Sequence, residues 1–352
     1  MTEVNVVLTD AIDVRRVRPA DPELLRFAFT GHAGEYFRIW IVSLCLSIAT
    51  LGIYSAWGKV RKKRYLYAHT ELDGSSFDYR ASPLAILRGR ILALLLFGGF
   101  ALSAHFVPVL QIAFIALLVV LTPMIVVAAA RFNARNTTYR NIAFVFDGKI
   151  GEAARVFIGG IIIVVLTGGL AYPFFRARRA RYIIAHHGFG ATPFSVTLET
   201  RKFFQTYFLG GLIVVGAAAV AGFAGSSSGG GTPITALLYL ALVYLSYIVA
   251  YAYIRARTLN LMADGTSIGA IRLHSTLRAR RLAWIYASNI VAILASVGLA
   301  TPWAMIRVAR YRVDNLVARS TAPLETYASR PSRSNTATGS EVSDLFDVDV
   351  SL

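Results

Sequence analysis

Three stretches decide the reading of this chain: Gly52-Ile53-Tyr54-Ser55-Ala56-Trp57-Gly58-Lys59-Val60-Arg61-Lys62-Lys63-Arg64-Tyr65, Gly169-Leu170-Ala171-Tyr172-Pro173-Phe174-Phe175-Arg176-Ala177-Arg178-Arg179-Ala180-Arg181-Tyr182, and Gly298-Leu299-Ala300-Thr301-Pro302-Trp303-Ala304-Met305-Ile306-Arg307-Val308-Ala309-Arg310-Tyr311. All three fit G-[IL]-x-x-[AP]-[WF]-x3-R-x-x-R-Y at identical spacing, which predicts a threefold internal repeat. Each follows an apolar run, so the glycine with its Ala or Pro breaks a helix just before a basic segment. Trp57, Phe174 and Trp303 then read as interface aromatics.

Working outward, the charges are absent in blocks. Residues 39–58, 91–130, 156–175, 203–254 and 282–306 contain no Asp, Glu, Lys or Arg. A membrane core needs about 20 apolar residues per helix. With 56% hydrophobic and 16% charged residues among 352, a soluble enzyme and a disordered protein are both excluded. The longer blocks predict helical hairpins over 91–130, turned near Pro108, and 203–254, joined by Gly225-Ser226-Ser227-Ser228-Gly229-Gly230-Gly231. With the three shorter blocks this makes seven apolar segments in an all-α polytopic membrane protein.

Lys+Arg counts before, between and after these segments run 5, 8, 0, 5, 6, 0, 6 and 6. If all seven crossed, one face would hold 17 and the other 19, against the positive-inside rule. If segments 1, 4 and 7 are re-entrant or interfacial, all 36 lie on one side, which predicts charged loops and a C-terminal tail in the cytoplasm.

The repeat units span about 27–66, 144–183 and 271–312. Phe29-Thr30-Gly31 with Glu35 and Phe146-Asp147-Gly148 with Glu152 share F-x-G-x3-E, whereas the third unit carries Arg281 at the carboxylate position. Glu35 and Glu152 open helices, where the N-terminal dipole favours a carboxylate; an ion-pair or proton-coupling role also fits them. Arg61 with Arg64, Arg178 with Arg181, and Arg307 with Arg310 each share one helix face. Such a face serves as a topology anchor, a site for anionic lipid headgroups or a site for a small anionic solute. Arginine outnumbers lysine 31 to 5, and the planar guanidinium suits bidentate phosphate contact.

Alternation predicts small cytoplasmic β-elements at 25–31, 141–148, 192–197 and 267–274, with a hairpin around Asp73-Gly74 within 69–79. Residues 1–24 read as a polar N-terminal segment, 25–316 as the membrane domain, and 317–352, Ser/Thr-rich and acidic at its end, as a disordered tail. No catalytic motif, cofactor motif or nucleic-acid signature is present. The single cysteine, Cys45, sits in the first apolar segment and excludes a disulfide framework. His186-His187 reads as a loop pair rather than a metal site, and His105 as a wetted residue near a hairpin tip.

The chain resembles the YjgN-like family of bacterial inner-membrane proteins. The resemblance covers roughly residues 25–316. It rests on Glu35-Tyr36-Phe37-Arg38-Ile39-Trp40, Leu51-Gly52-Ile53-Tyr54-Ser55-Ala56-Trp57 through Arg64-Tyr65, Leu72-Asp73-Gly74-Ser75-Ser76-Phe77, Arg131-Phe132-Asn133-Ala134-Arg135-Asn136, and Thr301-Pro302-Trp303. It implies a multi-pass protein of the bacterial cytoplasmic membrane and supplies no activity. Repeated broken helices with arginine faces predict a permease for an anionic or lipid-like solute. The rival expectation is a non-catalytic membrane-organising or anionic-lipid-binding protein.

Overall fold

The computed structural model describes residues 23–106, 108–227 and 232–321. Over these the order strand–helix–helix–strand occurs five times. The first unit is β1 (Glu23–Phe29), α1 (Ala33–Ala49), α2 (Ser55–Ala68) and β2 (Thr70–Leu72); the second is β3 (Ser75–Tyr79), α3 (Pro83–Phe106), α4 (Pro108–Asn136) and β4 (Thr137–Tyr139). The third is β5 (Ile142–Phe146), α5 (Ile150–Leu166), α6 (Tyr172–Ala185) and β6 (His187–Phe189); the fourth is β7 (Thr192–Val196), α7 (Thr200–Ser227), α8 (Pro233–Asp264) and β8 (Thr266–Ile268). The fifth is β9 (Ile271–Ser275), α9 (Ala279–Ala295), α10 (Thr301–Asp314) and β10 (Leu316–Ser320).

The all-α expectation is overturned. The ten described strands close into one antiparallel barrel in the order β1-β10-β9-β8-β7-β6-β5-β4-β3-β2. Tight turns join successive units, with positive φ at Asp73 and Gly74, at Arg140 and Asn141, and at Gly190 and Gly269, as two-residue hairpins require. Between the first and fifth units no turn exists. There β1 zips onto β10, Leu25 opposite Ala318, and the ring closes. Residues 317–320, placed in the tail by the sequence reading, thus belong to the closing strand; the remainder of that tail and residues 1–22 lie outside the described residues.

Buried side chains of the strands meet in one cluster: Leu25, Leu72, Tyr139, Phe189, Phe194, Ile271 and Ala318, joined by Phe27, Phe77 and Phe144. Phe77 lies 4.8 Å from the Tyr139 ring and Phe144 5.1 Å from Phe189, centroid to centroid. The barrel is therefore a packed base rather than a pore.

The description as seven apolar segments, with 1, 4 and 7 re-entrant or interfacial, is also corrected. Among the described residues four helices are long and apolar enough to cross a membrane: Pro83–Ser103, Val109–Asn136, Thr200–Ser227 and Pro233–Asp264. The helices of the other three apolar blocks do not reach that length. Each is a 17-residue helix (α1, α5, α9), roughly 26 Å long at 1.5 Å per residue, that turns into a 14-residue return. The turn is the same each time: φ is +93°, +91° and +90° at Gly52, Gly169 and Gly298. A Cβ would be strained there. The glycine N–H donates to Ser47, Val164 or Ile293, five residues back, at 2.7, 2.8 and 2.8 Å. A hydroxyl two residues before it (Thr50, Thr167, Ser296) accepts from the amides of Tyr54, Ala171 and Ala300. Side chains at these turns are apolar and bare: Leu51 is 94% exposed, Val297 92% and Leu170 80%. The threefold repeat thus becomes five units in element order, three with short hairpins and two with long ones.

Candidate functional site

The motif arginines divide into two kinds. The second arginine of each copy reaches across to the next unit and donates to a backbone carbonyl at the foot of its entering helix. Arg64 Nε reaches Tyr79 O at 3.3 Å, Arg181 Nη2 reaches Leu198 O at 2.7 Å, and Arg310 Nη2 reaches Gly31 O at 2.8 Å. The long hairpins do the same with Arg131 Nη2 on Gly148 O (2.8 Å) and Asn260 Nδ2 on Leu277 O (2.9 Å). All five seams around the ring are latched this way. A polar side chain at a returning helix satisfies a carbonyl between strand and helix that would otherwise face protein without a partner.

The motif tyrosine works within its own unit. Tyr65, Tyr182 and Tyr311 donate to the carbonyls of His32 (3.0 Å), Lys149 (3.0 Å) and Arg278 (3.3 Å). Those three residues are the N-caps of α1, α5 and α9, none with a side-chain cap of its own. Burial, then the nearby Glu152 charge, push the Tyr182 hydroxyl up to about 12, with Arg131 opposing, so it stays a donor. The F-x-G element is explained at the same place: a Cβ on Gly148 would lie 2.5 Å from both the Phe146 ring and the Tyr182 hydroxyl.

The first arginine of each copy is not spent in this way. Arg61 is exposed on α2. Arg178 lies 5.9 Å over the Phe174 ring. Arg307 lies 5.1 Å over Trp303 and donates to Ser288 Oγ (2.6 Å) and Asn289 Oδ1 (3.1 Å). The six arginines therefore form no common site. Trp57 and Phe174 are half-buried, Trp57 against the cluster of Ala56, Val60 and Phe132, whereas Trp303 is 42% exposed.

Glu35 and Glu152 take partners that the sequence reading missed. Glu152 lies 3.0 Å from His186 Nε2, and Glu35 accepts from the Tyr65 hydroxyl (3.0 Å) with His69 Nε2 3.9 Å away. Both histidines turn Nδ1 to the carbonyl four residues back, Tyr65 or Tyr182, at 2.8 Å. In the fifth unit the equivalents are Arg281 and Asn315, again 34 residues apart. Asn315 Nδ2 keeps the bond to the Tyr311 carbonyl (2.8 Å) and lacks the second nitrogen. The signal was legible in this spacing, had the histidines been aligned with the repeat. His187 is separate from this pair. It is buried against Phe146, and its Nδ1 donates to Ile183 O at 2.7 Å.

Two of the six arginines do meet. A cavity of about 360 Å³ at the closure seam is lined by His32 and Ala33 of α1, by Arg281 and Ile285 of α9, and by Trp303, Arg307, Arg310 and Asp314 of α10. Three guanidiniums face one carboxylate there, and Asp314 Oδ1 accepts from the Phe29 amide at 3.3 Å. No group of three or more metal-ligating side chains occurs among the described residues. The side chain of His105 lies outside them.

A family described as "Bacterial protein of unknown function (DUF898)" matches residues 24–345. The chain is 23% identical over 345 residues to the inner membrane protein YjgN of Salmonella typhimurium, covering 82% of this chain and 86% of that one. It is 32% identical over 127 residues to the inner membrane protein YjgN of Escherichia coli K12, covering 34% and 31%. No solved structure matches it.

Proposed function

From the premise that this chain belongs to the DUF898 family, we propose that it is a multi-pass inner-membrane protein that binds anionic lipid headgroups on the barrel side of its helix ring. The observation that carries this is the segregation of charge. All five helical hairpins leave from and return to one barrel. The loops at that end hold the basic residues, while the bare turns of the short hairpins carry Leu51, Leu170 and Val297. Four long helices cross the bilayer and the short hairpins enter the apolar layer from the barrel side. The basic excess favours a cytoplasmic position for the barrel and its charged loops. There arginines meet anionic headgroups, each worth about 1 kcal/mol near the surface.

A permease for an anionic solute is the second reading, favoured by the helices broken at positive-φ turns. It asks more of the molecule, because the barrel interior is filled with aromatic rings. Neither reading involves catalysis.

Reporter fusions after Arg61 and Arg140 test the topology: both report cytoplasm, and opposite signals refute it. Native mass spectrometry of the purified protein tests the ligand. Phosphatidylglycerol or cardiolipin is retained in preference to phosphatidylethanolamine, and equal retention removes the lipid reading.

A further inference from the structure

We propose that the closure seam holds one phosphate-binding site per chain, built by Arg281, Arg307 and Arg310 against the N-terminus of α1, and that Arg281 is its specificity-determining residue. This rests on, and deepens, the headgroup reading above.

The argument is a comparison within the molecule. At the first and third units the third residue of the entering helix is a carboxylate, and the returning helix ends with a histidine beside it: Glu35 with His69, Glu152 with His186. In those units the helix-opening position is a carboxylate with a histidine as its partner. At the fifth unit both members change together. Arg281 replaces the carboxylate, and Asn315 keeps the structural bond of the histidine to the Tyr carbonyl while shedding the nitrogen that would face Arg281. A random loss of the pair explains neither the gain of a cation nor the retained half of the histidine's contacts.

The consequence is charge without a partner. Arg281 makes no hydrogen bond or ion pair to another side chain among the described residues. Arg307 and Arg310 are fixed by Ser288, Asn289 and the Gly31 carbonyl, each using part of a fork of five donors. Held by these bonds, they present their remaining N–H groups at low ordering cost. Ala33 and the N-cap His32 bring the start of α1 to the same cavity; His32 supplies no side-chain cap, its N–H donates to the Tyr65 hydroxyl at 2.8 Å, and Glu35 stands in the first turn. Helix N-termini and arginine forks both bind oxyanions, phosphate among them. Asp314 offsets one charge of three and is itself held by the Phe29 amide. Trp303, 42% exposed beside Arg307, forms the cavity's aromatic edge toward the apolar surface of α9 and α10. That is the place where a headgroup joins its chains. The shared chemistry is a phosphate group, whether of a bilayer lipid or of a soluble phosphate.

The test uses the full chain in detergent, titrated with phosphatidylglycerol and read by native mass spectrometry. The double variant Arg281→Glu with Asn315→His rebuilds in the fifth unit the pair present in the other two, so the fold is kept. It binds one lipid fewer than the parent, with that affinity lowered about tenfold or more. Arg281→Gln, a change at an exposed position, gives a smaller loss of the same step. Inorganic phosphate at millimolar concentration either displaces this lipid, which identifies free phosphate as an alternative source, or leaves it, which identifies the lipid. Unchanged count and affinity in both variants overturn the site, even where phosphatidylglycerol is still preferred over phosphatidylcholine elsewhere. Loss of that preference in the parent, with the seam step intact, overturns the broader headgroup reading alone.

Discussion

Adding one methyl group at Gly148 tests whether the foot of a short hairpin is assembled as described. The Cβ would stand 2.5 Å from Phe146 Cε1 and 2.5 Å from the Tyr182 hydroxyl oxygen. Neither wall yields easily. The Phe146 ring is 3% exposed and packs 4.9 Å from the His187 ring, while the hydroxyl is tied to the Lys149 carbonyl at 3.0 Å. Overpacking a rigid site costs about 1–3 kcal/mol. Displacing the hydroxyl forfeits about 1 kcal/mol more and leaves the α5 N-cap untethered. Gly148→Ala is therefore expected to destabilise by roughly 2–4 kcal/mol. The same change three residues on, Gly151→Ala, meets nothing within 4 Å inside α5 and should stabilise by about 0.5–1 kcal/mol. Thermal melts of the detergent-purified protein, followed by size-exclusion of the soluble fraction, read both signs. Tyr182→Phe in the Gly148→Ala background removes one of the three clashing atoms, so its cost should be smaller than in the parent by about 0.5 kcal/mol or more. A Gly148→Ala protein that melts with the parent, or a strictly additive cycle, refutes the proposed packing.

The seam latches give a second contrast. Arg181→Gln and Arg131→Gln each remove a charge-assisted bond to a carbonyl and should cost about 1.5–3 kcal/mol, whereas Arg178→Gln, which loses a ring contact, should cost at most about 1 kcal/mol, all by the same melts. The turn hydroxyls are worth about 1 kcal/mol apiece, so Thr167→Val should lower the melting temperature while retaining the fold. His187 supplies a pH dependence. Burial, then the neighbouring His186, hold its pKa below the ordinary 6.5. As pH falls below about 6.5 the unfolded chain binds the proton and the folded one does not, so stability drops by up to about 1.4 kcal/mol per pH unit until the folded pKa is reached. Above that window the histidine contributes no slope, and melts of His187→Asn across pH 5–7 should be flatter than those of the parent.

Local chemistry was legible in the sequence, and closure was not. Asp73-Gly74 announces its hairpin because the turn needs positive φ at both residues, and β2 and β3 flank it. Alternation marks β1 and β5. The three-residue strands β4, β6 and β8 follow helices with at most one intervening residue, so no breaker separates the periods. Alternation runs through 267–274 without a break, whereas Gly269, at φ +57°, turns the chain between β8 and β9. The pairing of Leu25 with Ala318 has no local signal at all. For the motif, spacing shows that Arg307 and Arg310 share a face. It does not show that Arg310 crosses to Gly31, since that carbonyl belongs to the other end of the chain.

That crossing also explains why a site would arise at this seam and not at the other four. Where consecutive units meet, a two-residue turn joins their strands, so the spacing of the flanking helices is set covalently before any side chain acts. At β1 and β10 the strands are held by ladder bonds alone, and the helices above by Arg310 on Gly31 and the Asp314 carboxylate on the Phe29 amide. Side chains there determine the gap, among them the buried cluster of Phe29, Tyr36, Tyr65 and Ile306. The short hairpins of the first and third units pair a carboxylate with a histidine at their foot, and the fifth unit does without that pair while its seam remains latched by Arg310 and Asp314. The fifth unit departs from the first and third at Arg281 and Asn315 while keeping Tyr311 and Arg310 in their structural roles. Of the two changed positions Arg281 lines the cavity, while Asn315 keeps the bond to the Tyr311 carbonyl.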